Sequence, residues 1–96
     1  MPQVSVHGQA TDHMQGFIKI GIENQLRIVS FGIAKTKRKL ELFEKEAGMD
    51  SSNFYRQFME GQLGDDLKVI KWAGEYETLE QLLEDQRELQ EFNNCL

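Results

Sequence analysis

Cysteine and proline each occur once in the 96 residues. A lone Cys95 has no internal partner, which removes the disulfide-scaffold class and makes the cytoplasm the expected location. Pro2 is the only helix breaker of its kind, so everything after it is free to form long helices. Apolar runs of about 18 to 20 residues are missing, which excludes a membrane-spanning helix from the expected fold. The N-terminus lacks a basic stretch followed by an apolar one, so no signal peptide is expected. Hydrophobic content of 40% with 28% charged residues suits an ordered helical or globular chain rather than a disordered one.

Chemistry-bearing constellations are equally sparse. His7 and His13 are six residues apart, a spacing that does not place two imidazoles on one helical face. With no second cysteine to complete a zinc site, no metal is expected. Cys95 sits almost at the end of the chain, where no desolvated pocket can hold a nucleophile. Asp65 and Asp66 are adjacent and would diverge in a helix, so capping explains them better than a catalytic dyad. The glycines at 61 and 64 lack the lysine and spacing of a phosphate-binding loop. The chain is therefore not expected to be an enzyme, and no cofactor is expected.

What is present is helical patterning. Ile22, Leu26, Val29, Ile33, Thr36, Leu40, Phe43 and Ala47 recur at alternating steps of four and three residues, a heptad-type stripe with one polar interruption. Before it, residues 9–21 are ambiguous. FIKIGI alternates as a strand would, but Thr11 or Asp12 offers an N-cap and Met14, Ile18 and Ile22 fall at fourfold spacing. Residues 2–8 leave open a short edge strand or an irregular arm.

After Gly48, Asp50, Ser51 and Ser52 supply capping oxygens. Phe54, Tyr55, Phe58 and Met59 then share one side of a short helix, and Gly61 can close it in the left-handed conformation. Gly64-Asp65-Asp66 makes a turn and caps a last run, in which Val69, Trp72, Tyr76, Leu79 and Leu83 form a second stripe. Ile70, Ala73, Leu82, Leu89 and Phe92 widen it, as expected of a helix with two neighbours. Asn93-Asn94-Cys95-Leu96 are expected to fray. The predicted fold is all-α and a single domain: an arm over 1–11, a long helix over 12–47, a short one over 51–60 and a C-terminal one over 66–92.

Charge is unevenly divided. Residues 1–45 hold seven cations against four acids, a net of +3, whereas residues 46–96 hold four against twelve, a net of −8. The acidic half disfavours nucleic acid and favours a basic partner. The basic run Lys35, Lys37, Arg38 and Lys39 spreads around the helix and reads as a solvated face before it reads as a DNA contact.

The segment from Glu44 to Asp85 resembles the C-terminal half of small prokaryotic antitoxin components of two-gene toxin–antitoxin modules. The resemblance rests on Gly48, Met49, Ser52, Phe54, Phe58, Gly61, Leu63, Gly64, Asp65, Asp66 and Trp72. Ala47 and Val69-Ile70 stand where such proteins often carry aromatics. The resemblance implies a protein that neutralises a partner toxin enzyme, often a ribonuclease or nucleotide-modifying enzyme, by occluding its active site. Phe54, Tyr55, Phe58 and Trp72 are then the expected partner anchors, with Glu75, Glu77, Glu84 and Asp85 steering a basic toxin. The same rings also suit the protein's own core. A homo- or hetero-oligomer is expected. Two alternatives stand beside it: a helical dimerisation or scaffold protein, and a DNA-binding autoregulator. The heptad stripe runs through the place where a ribbon-helix-helix regulator would turn.

Overall fold

The computed structural model describes residues 12–96 with their side chains and carries the first helix back to Pro2. The arm or short strand expected over residues 1–11 lies outside the described residues. Three helices follow one another: α1 (Pro2–Ala47), α2 (Ser51–Met59) and α3 (Leu67–Asn94). Among the described residues there is no strand, and the fold is all-α. The FIKIGI segment is helical, with Asp12 inside α1 rather than at its cap. No helix among the described residues is long and apolar enough to cross a membrane.

The turns follow from glycine and aspartate chemistry. Gly48 closes α1 at φ +66°, a conformation costly for any residue with a Cβ. Its N–H and that of Met49 both donate to the Glu44 carbonyl, at 2.8 and 3.4 Å. Gly61 closes α2 in the same way: its N–H donates to the Phe58 carbonyl while that of Gln62 reaches back to Gln57, both at 3.0 Å. This paired arrangement satisfies carbonyls that a helix end leaves open. At the start of α2, Asp50 accepts from the Asn53 N–H at 2.8 Å and the Glu44 carboxylate accepts from that of Ser51, also at 2.8 Å.

Asp66 alone caps α3, accepting from the Val69 N–H at 2.9 Å, while Asp65 is exposed. Asp66→Ala should therefore cost about 1 kcal/mol. Asp65→Ala should be close to neutral; a thermal melt that moves equally for both would contradict this assignment.

α1 and α3 form an antiparallel hairpin, with α2 packed across its turn end. The predicted α1 stripe is the buried one: Val29, Ile33, Thr36 and Leu40 are buried, and Ile22, Leu26 and Phe43 half-buried. Ala47, last in that series, is exposed at the helix end. Leu40, Phe54, Trp72 and Ala73 form the core at the turn, surrounded by Phe43, Met49, Phe58, Leu63, Val69 and Tyr76. Further along, a Cβ on Gly32 would stand 3.3 Å from a Leu82 methyl, so glycine there permits the close approach of α1 and α3.

The α3 stripe holds only over its first half. Leu83 is exposed, and a half-buried line passes instead through Leu79, Leu82, Gln86, Leu89 and Asn93. The reason is the length of α2. Leu83 lies two turns beyond Tyr76, which packs on Tyr55 of α2, and so continues the α2-facing line past the point where α2 ends. Only the arc facing α1 remains covered there. Ile70 and Phe92 are exposed as well. α3 also runs on through Asn94 instead of fraying at 93, and the Asn93 side-chain Oδ1 accepts from Lys19 Nζ at 3.3 Å.

That contact marks where the hairpin stops. Residues 12–21 are all exposed, so α1 runs on beyond the end of α3 without a neighbour. The molecule measures 65 × 22 × 20 Å, and its radius of gyration of 20.2 Å is far above the roughly 12–13 Å of a compact domain of this length.

Candidate binding surfaces

The aromatic side chains that the sequence singles out are brought together, but inward. Phe54 and Trp72 stack with ring centroids 3.8 Å apart, and Phe43 stacks on Trp72 at 5.6 Å. Phe58 lies 6.1 Å from Phe54 and 6.0 Å from Tyr55, and Tyr55 is 4.8 Å from Tyr76. The Trp72 indole N–H donates to the Ser51 hydroxyl at 2.9 Å, satisfying the one polar atom that burial of the ring would strand.

This corrects the expectation of partner anchors at the elbow. Phe54 is 2% exposed and Trp72 5%, so neither reaches a partner in this conformation. Tyr55 and Phe58 are half-buried and spend their faces on neighbouring rings. The physical reason is size: a nine-residue helix is marginal alone, and it is held here by burying its aromatic face on α1 and α3.

The acids divide in two. Glu77 and Glu84 are exposed on the side of α3 that faces away from α1, in line with Glu80, Glu88 and Glu91. Steps of three, four, four and three residues keep these five carboxylates on one narrow arc about 21 Å long. Arg87 is the cation beside this ridge, bonded to Glu84 and, at 3.2 Å, to Glu91. Glu75 and Asp85 are not on it. Glu75 is half-buried toward α1, where Lys39 lies at 3.4 Å, and Asp85 is half-buried, accepting from Gln81 at 2.9 Å. Glu80, Glu88 and Glu91 are not among the expected steering acids, although their helical spacing places them on the outside of α3.

Tyr55 stands at the head of the ridge. Its hydroxyl donates to Glu77 Oε2 at 2.5 Å. That bond, with burial and the charges of Glu77 and Glu80 adding to it, pushes the Tyr55 pKa from 10.0 up to about 12. Burial, then Glu80 and Asp50, raise Tyr76 as well. Because the folded-state value of Tyr55 is raised, the stability it contributes is fully present below pH 10 and is lost as pH rises through about 12. Phenolate absorbance should show Tyr55 titrating closer to 10 in Glu77→Gln; an unshifted curve would dismiss the bond as the cause.

A third surface lies on α1. On the side of α1 turned away from α3, Phe17, Ile20, Ile28 and Phe31 are all exposed, and Leu42 extends the line beyond the basic run. The buried stripe occupies the opposite face of the same helix.

Comparison of the chain with protein-family models, with curated proteins and with solved structures gives no match.

Proposed function

We propose that this protein is a non-catalytic binding protein of the antitoxin kind, acting by laying the outer ridge of α3 along a basic cleft of a partner enzyme. The observation that carries the reading is the outward line of Glu77, Glu80, Glu84, Glu88 and Glu91, with Arg87 the cation paired to it among the described residues. Carboxylates at helical spacing present a row of negative charge that competes with the phosphates of a nucleic-acid or nucleotide substrate and accelerates encounter with a basic site. The resemblance of residues 44–85 to antitoxin components supports the same reading. Its residues have a structural role here: Gly48, Gly61 and Gly64 hold positive φ, Asp66 caps α3, and Phe54 and Trp72 fill the core.

The basic partner in this reading is a ribonuclease or nucleotide-modifying enzyme, and binding is through charge and helix shape rather than through the elbow aromatics. The test is co-expression with the product of the adjacent gene. That product alone should arrest growth, and the wild-type chain should relieve the arrest. A variant with the five ridge glutamates changed to glutamine should keep its helix content and lose the relief. Full relief by that variant, or no arrest to relieve, would remove the reading.

A further inference from the structure

Beyond the ridge on α3, the uncovered face of α1 has its own geometry. Phe17, Ile20, Ile28 and Phe31 are 71, 58, 63 and 67% exposed, high values for side chains of this type in a folded chain. With Asn24 between the isoleucines, they lie on one narrow arc, on the far side of the helix from Val29 and Ile33. Their order is Phe, Ile, Asn, Ile, Phe, at steps of three, four, four and three residues. The row therefore reads the same in both directions.

A row with that symmetry fits itself. A two-fold interface requires that if residue i meets residue j, then j meets i. We infer that this face pairs with the same face of a second copy, antiparallel, about a two-fold axis at Asn24. Phe17 of each copy then packs on Phe31 of the other, Ile20 on Ile28, and the two Asn24 amides meet on the axis. An amide at the centre of an apolar seam is a register device, because any slip strands it against hydrocarbon.

Charge selects the same orientation. Antiparallel pairing brings Arg27 of each copy alongside Glu23 of the other. It also keeps the two runs of Lys35, Lys37, Arg38 and Lys39 apart and sets each toward the end of the other copy that holds Asp12. Parallel pairing would stack that basic run on itself, a like-charge arrangement that costs stability. Area is sufficient too: two such faces, each with two aromatic side chains of about 150–250 Å², cover on the order of 1,000 Å², the lower bound for a specific interface. Pairing also gives the overhang of α1 past α3 the neighbour it lacks in a single chain.

The experiment uses the full-length chain and light scattering on a sizing column. The wild type should run at twice the 11.1 kDa chain mass, and Phe31→Glu, which touches nothing in the hairpin core, should run at 11.1 kDa with its helix content kept. Orientation is read by diamide cross-linking in a Cys95→Ser background. Asn24→Cys, on the axis, should cross-link with itself, whereas Phe17→Cys should not, and Phe17→Cys mixed with Phe31→Cys should. A wild-type monomer at millimolar concentration overturns the pairing, as does a dimer untouched by Phe31→Glu. Self-cross-linking of Phe17→Cys as fast as that of Asn24→Cys overturns its antiparallel sense.

Discussion

Truncation of Phe54 to alanine is expected to destabilise the hairpin by about 3–5 kcal/mol, the range for removing a fully enclosed aromatic. The ring lies flat on Trp72 at 3.8 Å with Phe58 6.1 Å away, so neither neighbour can collapse into the space without giving up a stacking partner. The loss removes the anchor of α2, and with α2 the lid over Leu40 and Ala73. A domain whose total stability is of the order of 5–15 kcal/mol does not absorb such a change easily. Urea unfolding followed by fluorescence suits the measurement, because Trp72 is the single tryptophan and sits in the perturbed stack. Met59→Ala on the exposed side of the same helix is the control and should move the midpoint by no more than about 0.5 kcal/mol. Equal effects at the two positions would mean that α2 does not dock through its aromatic face.

The second large effect is expected from Ile33→Asp. Ile33 is 7% exposed, in the seam where α1 meets α3 beyond the reach of α2, and the cation nearest to it by helical spacing, Lys37 at i+4, is exposed to solvent. The change loses the apolar burial of isoleucine, about 2–5 kcal/mol, and adds the cost of burying a charge. Part of the second cost is avoided by protonation, since burial raises a carboxyl pKa. A raised folded-state value means that the penalty is smallest below the ordinary aspartate value of about 4 and deepens as pH rises through the shifted one. Ala34→Asp, one residue along and exposed, should cost only the modest difference in helix propensity, about 0.5 kcal/mol, with little pH dependence. Thermal melts of both variants at several pH values make the comparison; matched behaviour would mean that the buried stripe has been misplaced.

Legibility varied by element. The stripe from Ile22 to Phe43 was readable because a helix facing one long neighbour shows a single uninterrupted period. Turn positions were readable because positive φ demands glycine and an exposed helix start demands an oxygen acceptor, and both leave their residues in the sequence. The expected ranges 51–60 and 66–92 stand close to the observed Ser51–Met59 and Leu67–Asn94 for this reason. Leu83 was misread because nothing local to it records where α2 stops. Glu75 and Asp85 were misread for a related cause: on a helix with two neighbours, a shift of one residue separates the seam from the outer ridge.

By itself, the order of residues determined an all-helical chain, the position of its two turns, the face of α1 that would be buried and the acidity of its second half. These are properties of period, capping and composition, which act over a few residues. Only the tertiary structure decided that Phe54 and Trp72 point into the hairpin and not out of it, that five glutamates share one outward line, and that Phe17, Ile20, Ile28 and Phe31 are left uncovered. Each of these depends on how far one helix extends past another. That is a matter of relative length and docking between segments distant in sequence, and no short window of residues contains it.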